Sequence, residues 1–123
     1  MKIEVSIGEV VDKLSILQIK TVYITDESKL VNVKKEYDYL HNIVFNEMKI
    51  EVSDFLDLVS VNKRLWEIED NIRNKELLKE FDDIFIELAR AVYITNDERA
   101  SIKKNINLKY GSLFIEEKSY QPY

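Results

Sequence analysis

Cysteine is absent from the chain, so neither a disulfide nor a thiolate metal site can form, and cysteine usage leaves the redox compartment undecided. Two glycines and one proline in 123 residues leave few points where regular structure must stop. Gly8 and Gly111 stand alone, which excludes a glycine-rich phosphate loop. The single histidine, His41, has no partner at hand in the sequence and reads as a boundary residue of a helix. Nucleophilic triads are therefore excluded, and Ser112 and Ser119 have nothing to activate them. Apolar runs stop at about four residues, far short of the roughly 20 that span a bilayer, and the N-terminus lacks a basic-then-apolar export pattern. No membrane partner is expected, and the chain reads as a cytoplasmic protein. Basic residues number 18 against 23 acidic ones, for a net charge of −5, and the two signs are interleaved. No basic face is offered to a phosphate backbone, so nucleic acid is not an expected partner.

What the chain does have is 46% hydrophobic and 33% charged residues, the mix of strongly amphipathic helices, at a length that fits one domain over residues 1–123. The hexapeptide MKIEVS occurs at 1–6 and again at 48–53. Ile3 and Val5 alternate with Lys2 and Glu4 in a period of two that suits a short extended lead. Ser6 and Glu9 then have capping-box spacing, which predicts a helix from about Ile7 to Ile24. Ile7, Val10, Leu14, Leu17, Thr21 and Ile24 form its inner stripe. Ile16, Ile19 and Tyr23 form a second one, so this helix is either central or shared with a second subunit, and a homodimer is expected.

Thr25 to Ser28 carries capping residues and predicts a second helix over about 28–47, with Leu30, Val33, Tyr37, Leu40 and Val44 inward. The second MKIEVS is expected to repeat the first one's task, with Ser53 or Asp54 capping a third helix that ends near Arg73. Its stripe is Leu58, Val61, Leu65, Ile68 and Ile72, and Trp66 on a secondary face reads as core or interface. Residues 74–80 read as a loop or a short helical turn. Phe81, Phe85, Leu88, Val92, Thr95, Arg99, Ile102 and Ile106 then step by four and three, which predicts one long helix over about 82–109. A break near Thr95 is the alternative. Gly111 ends it, and the tail 112–123 is expected to lie extended over the bundle, beside the opening lead. A second echo, VYIT at 22–25 and 92–95, raises the question of duplication, but the stretches 7–21 and 54–91 differ more than twofold in length. The expected fold is all-α: an antiparallel helical bundle of two helical hairpins with short extended terminal segments.

Polar residues that the register turns inward need a reason, because they detract from stability. Arg99 occupies a core position, with Thr95 one step before it and Asn96 and Lys103 beside the same stripe. Asn62 and Glu69 lie on the matching flank of the third helix. Packed together, helices 3 and 4 would form a polar pocket for a small anionic ligand. Arg99 supplies a planar fork, Lys103 a point charge, Asn96 and Asn62 direction, and Glu69 an acid or base if a reaction occurs. The structural alternative pairs Arg99 with Glu69, or lets its head reach solvent. Carboxylates one turn apart at Glu9 and Asp12, Glu67 to Asp70, and Glu80 to Asp83 allow a further reading, a Mg²⁺-dependent nucleotide pyrophosphohydrolase. Such spacings arise freely in a chain one third charged, and no metal site is assigned.

The stretches VSIGEVVDKLSILQIK (5–20), LWEIEDNIR (65–73), FIELARAVYITNDERASIKKNIN (85–107) and GSLFIEEKSY (111–120) resemble a family of short uncharacterised proteins of bacteria and some viruses. Its members often occur near genes for surface polysaccharide or sugar transfer. The resemblance directs attention to Asp12, Lys13, Glu69, Asp70, Arg73, Glu87, Arg90, Asn96, Asp97, Arg99 and Lys103, and names neither a reaction nor a cofactor. Three functions follow as expectations. They are a site for a sugar phosphate or nucleotide sugar, a non-catalytic homodimeric interaction module serving a sugar-modifying enzyme, and the pyrophosphohydrolase.

Overall fold

A computed structural model describes residues 1–123. Four α-helices follow in order: α1 (Ile7–Tyr23), α2 (Glu27–Asn42), α3 (Val52–Leu77) and α4 (Asp83–Lys109), with a π-helical turn, Ile43–Glu47, closing the first hairpin. The fold is an all-α bundle of two hairpins, and no helix is long and apolar enough to cross a membrane.

Helix α1 starts where Ser6 Oγ accepts the Glu9 amide at 3.2 Å. Only half of the capping box forms, because the Glu9 carboxylate turns away to Lys103 of α4. Helix α2 is capped by Asp26, whose carboxylate accepts the amides of Ser28 and Lys29. After Asn42 the expected α-helix gives way to the π turn, in which the Met48 amide reaches back to Ile43 O at 2.8 Å. The wider turn brings Val44 fully inside, and Lys49, at φ 56°, reverses the chain so that Ile50 is buried too.

The two MKIEVS segments therefore do different work. Ile3 is 72% exposed in a lead without regular structure, while Ile50 is in the core. Nor does Ser53 or Asp54 cap α3, which begins at Val52, so that both lie inside its first turn. The Glu51 amide donates instead to Tyr110 Oη at the far end of α4, 2.9 Å away. Helix α3 also runs four residues past Arg73, absorbing most of the expected loop, and Lys79 at φ 55° starts the turn into α4. Helix α4 is continuous through Thr95–Glu98 and ends in a Schellman turn: Gly111 has φ 67° and the Ser112 amide donates to Asn107 O at 2.8 Å. The tail runs back along α4, where Glu117 meets Lys104 and the Tyr123 ring meets Tyr93. Its first residue, Ser112, also meets the start of α1, where its Oγ accepts the Ile7 amide.

Helix α1 is central: it packs on α2, α3 and α4, while α2 touches neither α3 nor α4 in any extended way. Its two apolar sides are thus used within the chain. Ile19, expected to need a second subunit, is buried, Ile16 is half-buried, and Tyr23 stacks on Trp66 at 5.5 Å. The core gathers Val11, Leu14, Val44, Ile50, Phe55, Leu58, Val61 and Ile106. All lie at the end of the bundle that holds the start of α3 and the close of α4. From residue 63 to residue 94 no side chain is buried, and the outer half of the α3–α4 hairpin projects as two helices alone.

Candidate functional site

Where α1 crosses α4, the helices approach so closely that only glycine fits. A Cβ on Gly8 would stand 2.6 Å from the Lys103 carbonyl oxygen. The Gly8 amide donates to the Asn107 side chain at 2.6 Å, and the Ile7 amide to Ser112 Oγ at 3.0 Å, so two unpaired donors at the start of α1 are met by α4 and the turn after it.

One turn further along α1, Asp12 is 1% exposed, and Arg99 meets it through Nε at 2.9 Å and through Nη2. Asn62 of α3 donates to the same carboxylate at 2.8 Å and to Ser15 Oγ at 2.7 Å, and Ser15 in turn donates to the Asp12 carbonyl. A buried carboxylate is tolerable here because a cation and an amide both satisfy it. The hydrogen bonds to Asp12 hold Arg99 more firmly protonated than usual, against the opposing effect of its partial burial. Arg99 thus pairs with Asp12, and the alternative pairing with Glu69 does not occur. Glu69 instead lies near Arg73, 3.6 Å away on its own helix.

Nothing within the chain bonds to Arg99 Nη1. Arg99 lines a groove of about 560 Å³ between α1, α3 and α4 whose walls include Asn62, Trp66, Glu69, Asn96 and Arg73. Four of the five expected site residues, Asn62, Glu69, Asn96 and Arg99, therefore share one cleft, and α1 contributes a wall that was not anticipated. Lys103 is elsewhere. It is 13% exposed and held by Glu9 at 2.7 Å and by Glu116 of the tail at 3.5 Å. With Lys104 it lines a second cavity, of about 420 Å³, beneath the tail. Arg99 and Asn96 border both spaces.

The acids expected to share Mg²⁺ do not converge, for no three Asp, Glu or His side chains gather at metal-binding distances. Glu80 and Asp82 are taken by Lys75, and Glu67 accepts from Tyr23. His41 lies between the rings of Tyr37 and Phe45, away from the cleft.

Sequence reasoning did not single out Asp12 as buried, or Asn107 and Ser15 as structural partners. The available signal was their spacing: Gly8, Asp12 and Ser15 recur at helical steps on one face of α1.

Fold and site together define a helical bundle whose first and last helices are joined by a buried ion pair beside an open polar cleft. The whole chain, residues 1–123, matches a family of unknown function, DUF6165, and the protein belongs to it. No curated protein and no solved structure matches it.

Proposed function

We propose that the cleft between α1, α3 and α4 binds a small anionic ligand of the sugar phosphate or nucleotide sugar class. The observation that carries the reading is the posture of Arg99. Its Nε and Nη2 are locked on a buried carboxylate, Nη1 has no partner within the chain, and the residue lines the cleft. A guanidinium fixed from behind loses little side-chain freedom on meeting an oxyanion, the ordinary advantage of a pre-organised site. Arg73 adds a second cation at the rim, Trp66 a flat apolar surface for a sugar or base, and Asn96 a directional amide, while the Asn62 amide is already given to Asp12 and Ser15. Glu69, on the same wall, is the carboxylate assigned to proton transfer if a bond is broken. Lys103 has no part in this cleft, since two carboxylates already hold it. The ligand class is chosen because the chain resembles a family whose members often occur near genes for surface polysaccharide or sugar transfer.

Binding that saturates the folded state at a hundredfold excess over Kd stabilises it by about 2.7 kcal/mol, so thermal melting is the natural assay. UDP-glucose, glucose 1-phosphate and inorganic pyrophosphate form the first panel. A rise in Tm by several degrees with one of them, lost in Arg73→Ala and Trp66→Leu, is expected. No rise at millimolar concentration, or an equal rise in both variants, would sink the reading. A second reading, a non-catalytic interaction module, draws support from the exposed apolar residues at the α3–α4 turn.

A further inference from the structure

The outer part of the α3–α4 hairpin has an apolar surface that the rest of the chain does not cover. Ile68 and Ile72 of α3 and Phe85 and Leu88 of α4 lie on the hairpin's inner stripes, yet all four are only half-buried. Around the turn, Leu77 is 79% exposed, Leu78 63%, Phe81 57% and Ile84 56%. Phe81 and Phe85 meet edge to face at 5.2 Å and, with Ile72, floor a groove of about 590 Å³ rimmed by Glu69, Arg73 and Glu76. Long helices owe their stability in water mainly to a packed face. Two helices alone provide only one seam.

Surface area measures the same shortfall. A compact monomer of 14.6 kDa exposes about 6,900 Å², whereas this chain exposes 8621 Å². Exposed residues concentrate in three parts, the lead 1–5, the tail 113–123 and the hairpin tip. A stable interface removes about 800 Å² from each partner, roughly half of that excess. The occupant that supplies the missing layer with matching length and chemistry is another such hairpin.

We propose that the α3–α4 tip, residues 68–90, packs against the same tip of a second copy of this chain, making a four-helix bundle about a two-fold axis. Such an interface is isologous: Leu77 and Leu78 of each copy reach the Ile72, Phe81 and Phe85 groove of the other. Acids outnumber bases over 68–90, so two tips repel across the rim while their apolar seams attract. Added salt screens the first and leaves the second, so association tightens as salt rises. This dimer does not use Ile16 and Ile19; Glu69 and Arg73 border both its groove and the ligand cleft, but its apolar seam does not depend on the ligand reading.

Sedimentation velocity on the full chain tests it, at 1 to 200 μM in 50 mM and 500 mM NaCl. The expected result is a species of about 29 kDa, twice the 14.6 kDa chain mass, with Kd lower by threefold or more at the higher salt. Leu77→Glu and Phe81→Glu change exposed positions, so each variant should retain its helical circular dichroism and run as a monomer. Leu113→Glu, on the tail, should leave the dimer intact. A wild-type monomer at 200 μM overturns the proposal. So does a dimer that survives both tip variants, or one that only Leu113→Glu breaks.

Discussion

Asp12 and Arg99, 87 positions apart, meet through two hydrogen bonds with the carboxylate almost wholly out of water. Removing the cation alone leaves that carboxylate with only Asn62 for support. Arg99→Leu should therefore destabilise the fold by about 3–5 kcal/mol, the usual result of orphaning a buried charge. Asp12→Leu combined with Arg99→Leu should recover most of the loss, because apolar groups replace both members. Urea denaturation of the three proteins checks this, and a double variant no better than Arg99→Leu would contradict it.

The closeness of α1 to α4 gives a sharper steric test. In Gly8→Ala the new methyl would sit against a backbone carbonyl that cannot rotate away, so the helices must part. A loss of about 1–3 kcal/mol is expected, together with weaker hydrogen-exchange protection at the Gly8 amide as its bond to Asn107 lengthens. Gly111→Ala, which meets no neighbouring atom but keeps a positive φ, should cost about 1 kcal/mol through backbone strain alone.

Acid should loosen the molecule through two named carboxylates. The hydrogen bond from Lys103 holds Glu9 below its ordinary value of 4.5, more strongly than partial burial raises it. Burial is the largest single influence on Asp54 and pushes it up, but the bonds from Tyr110 and Lys109 together outweigh it and bring it down. A depressed carboxylate adds stability that is present above its unfolded pKa and is lost as pH falls through its folded one. Tm should thus stay level from pH 7 to about 5 and decline below that. Glu9→Gln should show a shallower decline, and an identical acid limb would rule Glu9 out.

Tyr110 joins the end of α4 to the start of α3, accepting from the Glu51 amide and donating to Asp54. Tyr110→Phe removes both bonds and should lower stability by about 1 kcal/mol. Its loss and that of Asp54→Asn should be non-additive in a double-mutant cycle, since the two act in one network.

The helices were largely legible in the sequence because their apolar steps are regular and the starts of α1, α2 and α4 carry capping groups. Helix α4 shows this best, running unbroken past a Thr-Asn-Asp-Glu sequence that alone reads as a helix start. The π turn was not legible, for nothing in IVFNE departs from α-helical composition. The core was legible only in part. Phe81 and Phe85 fit the stripe as well as Ile106 does, but periodicity says which face is apolar and not whether anything covers it. At the cleft, Asn62, Glu69, Asn96 and Arg99 could be grouped from two registers. Asp12 could not, because a single aspartate on a helix is ordinarily solvated, and its burial depends on α1 being flanked by three other elements at once.

The clasp between the two ends of the chain has a consequence for synthesis. Ile7 to Ser112, Gly8 to Asn107, Glu9 to Lys103 and Asp12 to Arg99 span between 87 and 105 positions. A ribosome releases α1 long before any of these partners exists. Until α4 emerges, Asp12 has no guanidinium to face and the amides at the head of α1 have no acceptor. The α1–α2 hairpin can form on the way, but it stays solvated where it will later be dry. The head of α1 thus closes late, when the last helix arrives, so in a nascent chain stalled before residue 99 the amides of Ile7 and Gly8 should lack hydrogen-exchange protection.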